Sequence, residues 1–222
     1  MKNLFKIACI FFLLTSVSFS AQEKTDSIAY NKDFVLNEGI YLNYYDFRTN
    51  RPISKEVIRS QDNKDQLEFL SKLVDNNTFI NFNFNGIEHK VHADSIWGYC
   101  QNNVVYINYE HKFCRIPLFG NLSQFIAMVE VTNYMNNFGP YYSYGMTAAS
   151  MPVKSVEVKQ YILDFYSGKI VSLDLKNTEI LLERDPTIYK EFMLLKKKQR
   201  KDKMSLYIRK YNEKHPIQFP TN

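Results

Sequence analysis

Two short runs hold the residues best suited to metal or nucleophile chemistry: His89-Lys-Val-His92 and His111-Lys-Phe-Cys114. Imidazole and thiolate pairs at i, i+3, with eighteen residues between the runs, match the knuckle spacing of a four-ligand zinc site. Both runs fall in strand-like alternation, however, where i and i+3 project to opposite faces. One member of each pair then points away, and structural zinc favours cysteines, of which this set has one. His89, His92, His111 and Cys114 are metal candidates only if a turn or bulge re-aims each pair. The expectation is sheet histidines and no cofactor.

Cys100 and Cys114 lie in aromatic, apolar stretches, Ile-Trp-Gly-Tyr-Cys and Lys-Phe-Cys-Arg-Ile. A nucleophilic cysteine needs an electropositive, partly exposed setting, so these read as inert core thiols. In a simple meander their strands flank residues 104–109 and stand about 9–10 Å apart, too far for a disulfide. Asp164 and Asp174 flank a second hairpin. With Ser167-Gly168 central in its turn, Asp164 lies opposite Val171 and Asp174 opposite Tyr161, placing the carboxylates on different faces. No catalytic residue is assigned, and a hydrolase or metal-dependent enzyme built on the histidine–cysteine set is the alternative reading.

Two segments are candidate binding surfaces. Residues 133–152 contain Gly139-Pro140 and the tyrosines Tyr141, Tyr142 and Tyr144, and read as a long aromatic loop of the kind that carries binding. Residues 196–203 read KKKQRKDK, six cations against one acid. Lys196, Lys197, Lys198, Arg200 and Lys201 suit an anionic membrane surface. They lack the interleaved aromatics of a nucleic-acid platform, so no nucleic acid is expected. The partner is otherwise an unknown envelope protein or ligand.

The elements that must position these groups follow from periodicity. Residues 62–76 predict a helix, capped by Asp62 or Asn63 with Gln66 closing a capping box, and with Leu67, Leu70, Leu73 and Val74 on one face. Ile80, Phe82 and Phe84 alternate with asparagines, and Asn85-Gly86 signals a type I′ hairpin returning through Ile87–His92. Residues 96–100, 104–109 and 113–118 continue the meander. Residues 122–131 fit helix or strand, and the β-branched Val-Glu-Val-Thr ending favours strand. A hairpin over 156–175 and a short helix over 177–184 follow. Asp185-Pro186 then opens a long helix to about 214 with a charged stretch that either spans a gap, projects or breaks.

The chain has 222 residues, 45% of them hydrophobic, so it can build a core without staples. Its seven glycines are never closer than the six positions between Gly139 and Gly145. That spacing excludes GxGxxG, a Walker-type phosphate loop and GxSxG. Lys2 and Lys6, an apolar run over 7–14, and Ser18-Phe19-Ser20-Ala21 give the layout of a signal peptide over 1–20, cut after Ser20. The run is shorter than the roughly 20 residues a membrane span needs. Residues 21–38 then read as a loose arm, and 39–216 as one α+β domain with a helix near its N-terminus, a meander-rich antiparallel sheet and a long C-terminal helix. The order GIYLNYYDF, IWGYC, VVYINY and YIRKYNEKHP resembles secreted Gram-negative bacterial proteins grouped as a domain of unknown function. The resemblance covers most of 39–216 and implies an exported, periplasmic or secreted domain, with no site residues to transfer. The reading is a non-enzymatic binding module of the cell envelope.

Overall fold

The structure, a computed structural model, describes residues 26–135 and 151–221; the expected signal peptide lies outside them. In chain order, β1 (Ser27–Ala29) and β2 (Gly39–Tyr41) precede a short helix, α1 (Tyr44–Arg48). Then come β3 (Ile58–Arg59), α2 (Phe69–Asn76), β4 (Phe79–Phe84), β5 (Ile87–His92), β6 (Gly98–Gln101), β7 (Val104–Tyr109) and β8 (Lys112–Arg115). Two strands of fourteen residues follow, β9 (Leu122–Met135) and β10 (Met151–Asp164), with β11 (Ile170–Ser172) beside the second. Three helices, α3 (Leu175–Leu182), α4 (Pro186–Met193) and α5 (Lys197–Lys214), lead to β12 (Gln218–Pro220). The class is α+β.

The strands form four antiparallel sheets: β1-β12, β2-β6-β7-β8, β3-β4-β5 and β11-β10-β9. The meander does not run unbroken, because a single 3-10 turn at Ala93–Ser95 separates β5 from β6. Three tight turns fix registers. Asn85-Gly86, Asn102-Asn103 and Glu110-His111 each place two residues at positive φ, between 51° and 79°. Type I′ turns require that, and their twist matches the strands they join. Asparagine and glycine accept this region readily; Glu110 and His111 do so against steric cost.

Alternation sorts the side chains. Tyr99, Tyr106 and Phe113 point from one face of the β2-β6-β7-β8 sheet toward the core under α2, where Leu70, Leu73, Ile80 and Phe82 pack. Cys100, Val105, Ile107 and Cys114 point from the other face, toward Phe125, Ala127, Val129, Tyr161 and Leu163 of the β9–β10 hairpin. On the far side of that hairpin, Leu122 and Ile162 meet Leu182, Ile188, Phe192 and Ile208 of the three helices. Phe84, expected on the buried face, is half exposed because β4 ends at the hairpin tip.

Two expectations change, and one left open is decided. The helix over 62–76 begins only at Phe69, since Asn63 accepts from the Asp65 N–H in a local turn instead of capping. The cap comes from another element: Gln101 Oε1 accepts from Leu70 N and Ser71 N, at 2.8 and 3.2 Å. Residues 26–38 are not a loose arm. β1 pairs with β12, Tyr30 N donates to Ile217 O, Phe34 stacks on Phe219 at 5.0 Å, and Leu36 is buried. Of the alternatives for the charged stretch of the C-terminal helix, the break is the one present: the chain turns at 194–196, with Lys196 extended at φ −62° and ψ 150°. The break lets α5 fold back so that Tyr207 meets Phe192 at 4.9 Å between ring centres.

Phe47 is the hub of the largest aromatic group. It stacks on Trp97 at 4.0 Å and meets Tyr41, Phe119 and Phe165 edge-on. Phe47→Ala should cost about 3–5 kcal/mol in urea-unfolding free energy, whereas Phe84→Ala should stay within about 0.5 kcal/mol.

Candidate functional site

The histidine–cysteine set does not assemble. His89 stacks on Phe82 across the β4–β5 pair at 5.3 Å. His92, at the end of β5, accepts through Nδ1 from the Asp94 N–H and so caps the 3-10 turn. His111 sits in the β7–β8 turn, and Cys114 is buried opposite Ile107 in a different sheet from the first pair. Among the described residues no three His, Cys, Asp or Glu side chains are grouped to hold a metal ion. Both thiols are free. Burial, then the nearby Glu38 charge, pushes Cys100 up to about 12. Burial also raises Cys114, against a lowering pull from Lys112. Neither forms a thiolate readily at neutral pH.

The second hairpin keeps the aspartates apart by another route than expected. Its register pairs Tyr161 with Ser172 and Ile162 with Val171, two positions from the predicted one, because five residues, 165–169, form the connection. Asp174 becomes the N-cap of α3, accepting from Asn177 N at 2.8 Å. Asp164 is buried and takes two parallel bonds from Arg184, at 2.8 and 2.7 Å. Burial alone would lift its carboxyl. Hydrogen bonds from Arg184 and Ser167, with the Arg184 charge, outweigh that and hold it below the ordinary carboxylate range.

A related tie joins the ends of α4 and α5. Asp185 caps α4 through the N–H groups of Thr187 and Ile188, and its other oxygen meets Lys214 Nζ at 2.7 Å and His215 Nε2 at 2.6 Å. The Lys214 and His215 bonds, with the Ile188 N–H, hold the Asp185 carboxyl well below the usual range. His215 also packs on the Tyr211 ring. The carboxylate–imidazole pair looks catalytic in outline, but among the described residues no serine, threonine or cysteine is hydrogen-bonded to that imidazole. The sequence disclosed Asp185-Pro186 as a helix start; nothing in it announced the partner thirty positions on.

The concave feature with unused chemistry lies between α5 and the β9–β10 hairpin. It is a groove of about 200 Å³, lined by Leu118, Gln124, Ile126, Gln160, Ser205 and Arg209, among others. Ser205 Oγ donates to Gln124 Oε1 at 2.9 Å, and Gln124 Nε2 is buried with no acceptor. A buried donor left unpaired is uncommon enough to need a reason. The groove opens onto an apolar stripe on the same face: Ile126 (51% exposed), Met128 (60%), Val156 (61%) and Val158 (66%). Met128 pairs directly with Val158, so the four form one contiguous surface. Where the helices stop short of these side chains was not encoded locally in the sequence.

Tyr141, Tyr142 and Tyr144 lie outside the described residues. Of the basic run, Lys196, Lys197, Lys198 and Lys201 are exposed at the start of α5, while Arg200 turns inward to an ion pair with Glu179 on α3. The N-cap of α5 is Lys196, and its first turn carries no acid. Each cation there works against the helix dipole by about 0.3–1 kcal/mol. No helix among the described residues is long and apolar enough to cross a membrane. Compared with protein-family models, curated proteins and solved structures, the chain finds no significant match.

The two buried carboxylates set the acid response. A carboxyl held below its unfolded value near 4 contributes stability fully above that pH and loses it as pH falls through the folded value. Stability should therefore decline as pH drops below about 4. Asp164→Asn should lower the neutral-pH unfolding free energy by about 1–3 kcal/mol and flatten that decline, read by urea titrations at a series of pH values.

Proposed function

We propose that this chain is an exported, non-enzymatic binding module, related to the secreted Gram-negative proteins its motifs resemble. The α5–hairpin groove and its apolar stripe are its docking surface. One observation carries the reading: four apolar side chains on one strand-pair face stand in water at the mouth of a groove whose buried amide donor has no acceptor. A contiguous apolar surface of this kind is a common mark of an interaction site.

The chemistry describes the partner. It brings apolar side chains to Met128 and Val158, and an acceptor oxygen to Gln124 Nε2. Arg209 at the groove wall favours a carboxylate or a polarised carbonyl there. The dispersal of His89, His92, His111 and Cys114 over two sheets supports binding over metal-dependent or thiol chemistry. Export rests on the arrangement of residues 1–21, and an envelope partner follows from it.

A photo-cross-linking side chain installed at Met128 or Val158 should give one discrete adduct in the envelope of the producing cell, absent when the probe sits at Phe84. The double substitution Met128→Asp with Val158→Asp should leave the thermal midpoint within a few degrees and weaken capture of that partner at least about tenfold, since two apolar contacts are replaced by unpaired charges. Equal labelling at all three positions, or undiminished capture by the double variant, would count against the site.

A further inference from the structure

The turn between α4 and α5 presents a second surface, distinct from the groove. Leu194 is 79% exposed there and Met193 39%, with the half-buried Leu195 between them and Lys196. Lys197, Lys198, Lys201 and Lys203 follow, all exposed in the first two turns of α5. The basic side chains of this part of the fold are paired selectively. Arg200 meets Glu179, Lys210 meets Glu191 and Lys214 meets Asp185. Among the described residues, no carboxylate lies within ion-pair distance of the five lysines at the tip; Asp202, the one acid of the run, is exposed among them without pairing.

Two things separate this tip from an ordinary solvated helix end. Its leading residue is a leucine almost fully in water, where a turn between helices would be served by any polar residue. Its cations crowd the end of the helix where the backbone dipole opposes them. A bilayer carrying negative headgroups offsets both at once: phosphates receive the lysines, and the headgroup–acyl boundary receives Leu194. A soluble polyanion or a nucleic acid would engage the lysines and leave Leu194 in water.

We infer that the α4–α5 tip docks this protein onto anionic phospholipid bilayers, with Lys196, Lys197, Lys198 and Lys201 at the headgroup phosphates and Leu194 inserted beneath them. None of these tip residues lines the hairpin groove, so the docking stands or falls independently of that site.

The test uses protein purified from the cell in its processed form and two sets of vesicles, pure phosphatidylcholine and the same lipid with about a third phosphatidylglycerol. Binding should appear only with the anionic lipid and should weaken steeply as salt is raised. Lys197→Glu, Lys198→Glu and Lys201→Glu together should cut the partition coefficient at least about tenfold. The same triple variant should melt at an equal or higher temperature, because its new carboxylates suit the helix N-terminus, so the loss cannot be unfolding. In Leu194→Trp, brominated acyl chains should quench the new fluorophore and spare Trp97, which packs against Phe47 in the core. Indifference to anionic lipid, full binding by the triple variant, or an unquenched Trp at 194 would each overturn the inference. So would heparin binding as tight as vesicle binding with Leu194→Asp silent, which would mark a polyanion site instead.

Discussion

The β9–β10 hairpin imposes the constraint to which everything else in the fold conforms. Two paired strands of fourteen residues present two complete faces, and each face must be buried or left wet along its length. One face is covered through Phe125, Ala127 and Val129 by the sheet that carries Cys100, Val105 and Ile107, while Glu157 and Lys159 on that face stay exposed. The other is sealed by helices only at its open end, around Leu122 and Ile162. Beyond that, the same alternation that builds the core delivers Ile126, Met128, Val156 and Val158 to solvent. The apolar stripe is thus the direct result of strands longer than their helical cover.

The helical layer is held to that hairpin by polar ties as well as apolar packing. Asp164 reaches from the end of β10 to Arg184 beside α4, and Asp185 joins the start of α4 to Lys214 and His215 at the end of α5. Asn212 bonds the Leu122 backbone at both N and O, at 2.8 and 2.9 Å. Groups so fully partnered fix orientation more than they add net stability. They orient α5 so that its middle, at Ser205 and Arg209, borders the groove and its start, just past the break at 194–196, carries the unpaired lysines.

What was legible in the sequence was local. Asn85-Gly86 specified its turn because both residues tolerate positive φ, and Asp185-Pro186 specified a helix start because a carboxylate cap and a fixed φ act within one turn. The strand assignment of 122–131 followed from β-branching. What escaped reading depended on distant partners. α2 starts seven residues late because its cap, Gln101, arrives from another hairpin. The β10–β11 register shifted by two because Gly168 N bonds Asp164 O within a wider turn. Arg200 looked like a free surface cation until Glu179, twenty-one positions upstream, came against it. The candidate site suffered most, since its apolar stripe is defined by where a cover ends, and no periodicity reports that.

The seam between β1 and β12 bears on when this protein can finish folding. Ser27 and Gln218, 191 positions apart, touch across it, and Phe219 completes the aromatic core begun by Tyr30 and Phe34. A chain emerging in order from the ribosome holds Ser27–Ala29 without a mate until Gln218–Pro220 appear. The aromatic layer around Phe219 therefore closes only once Gln218–Pro220 have been made, long after Tyr30 and Phe34.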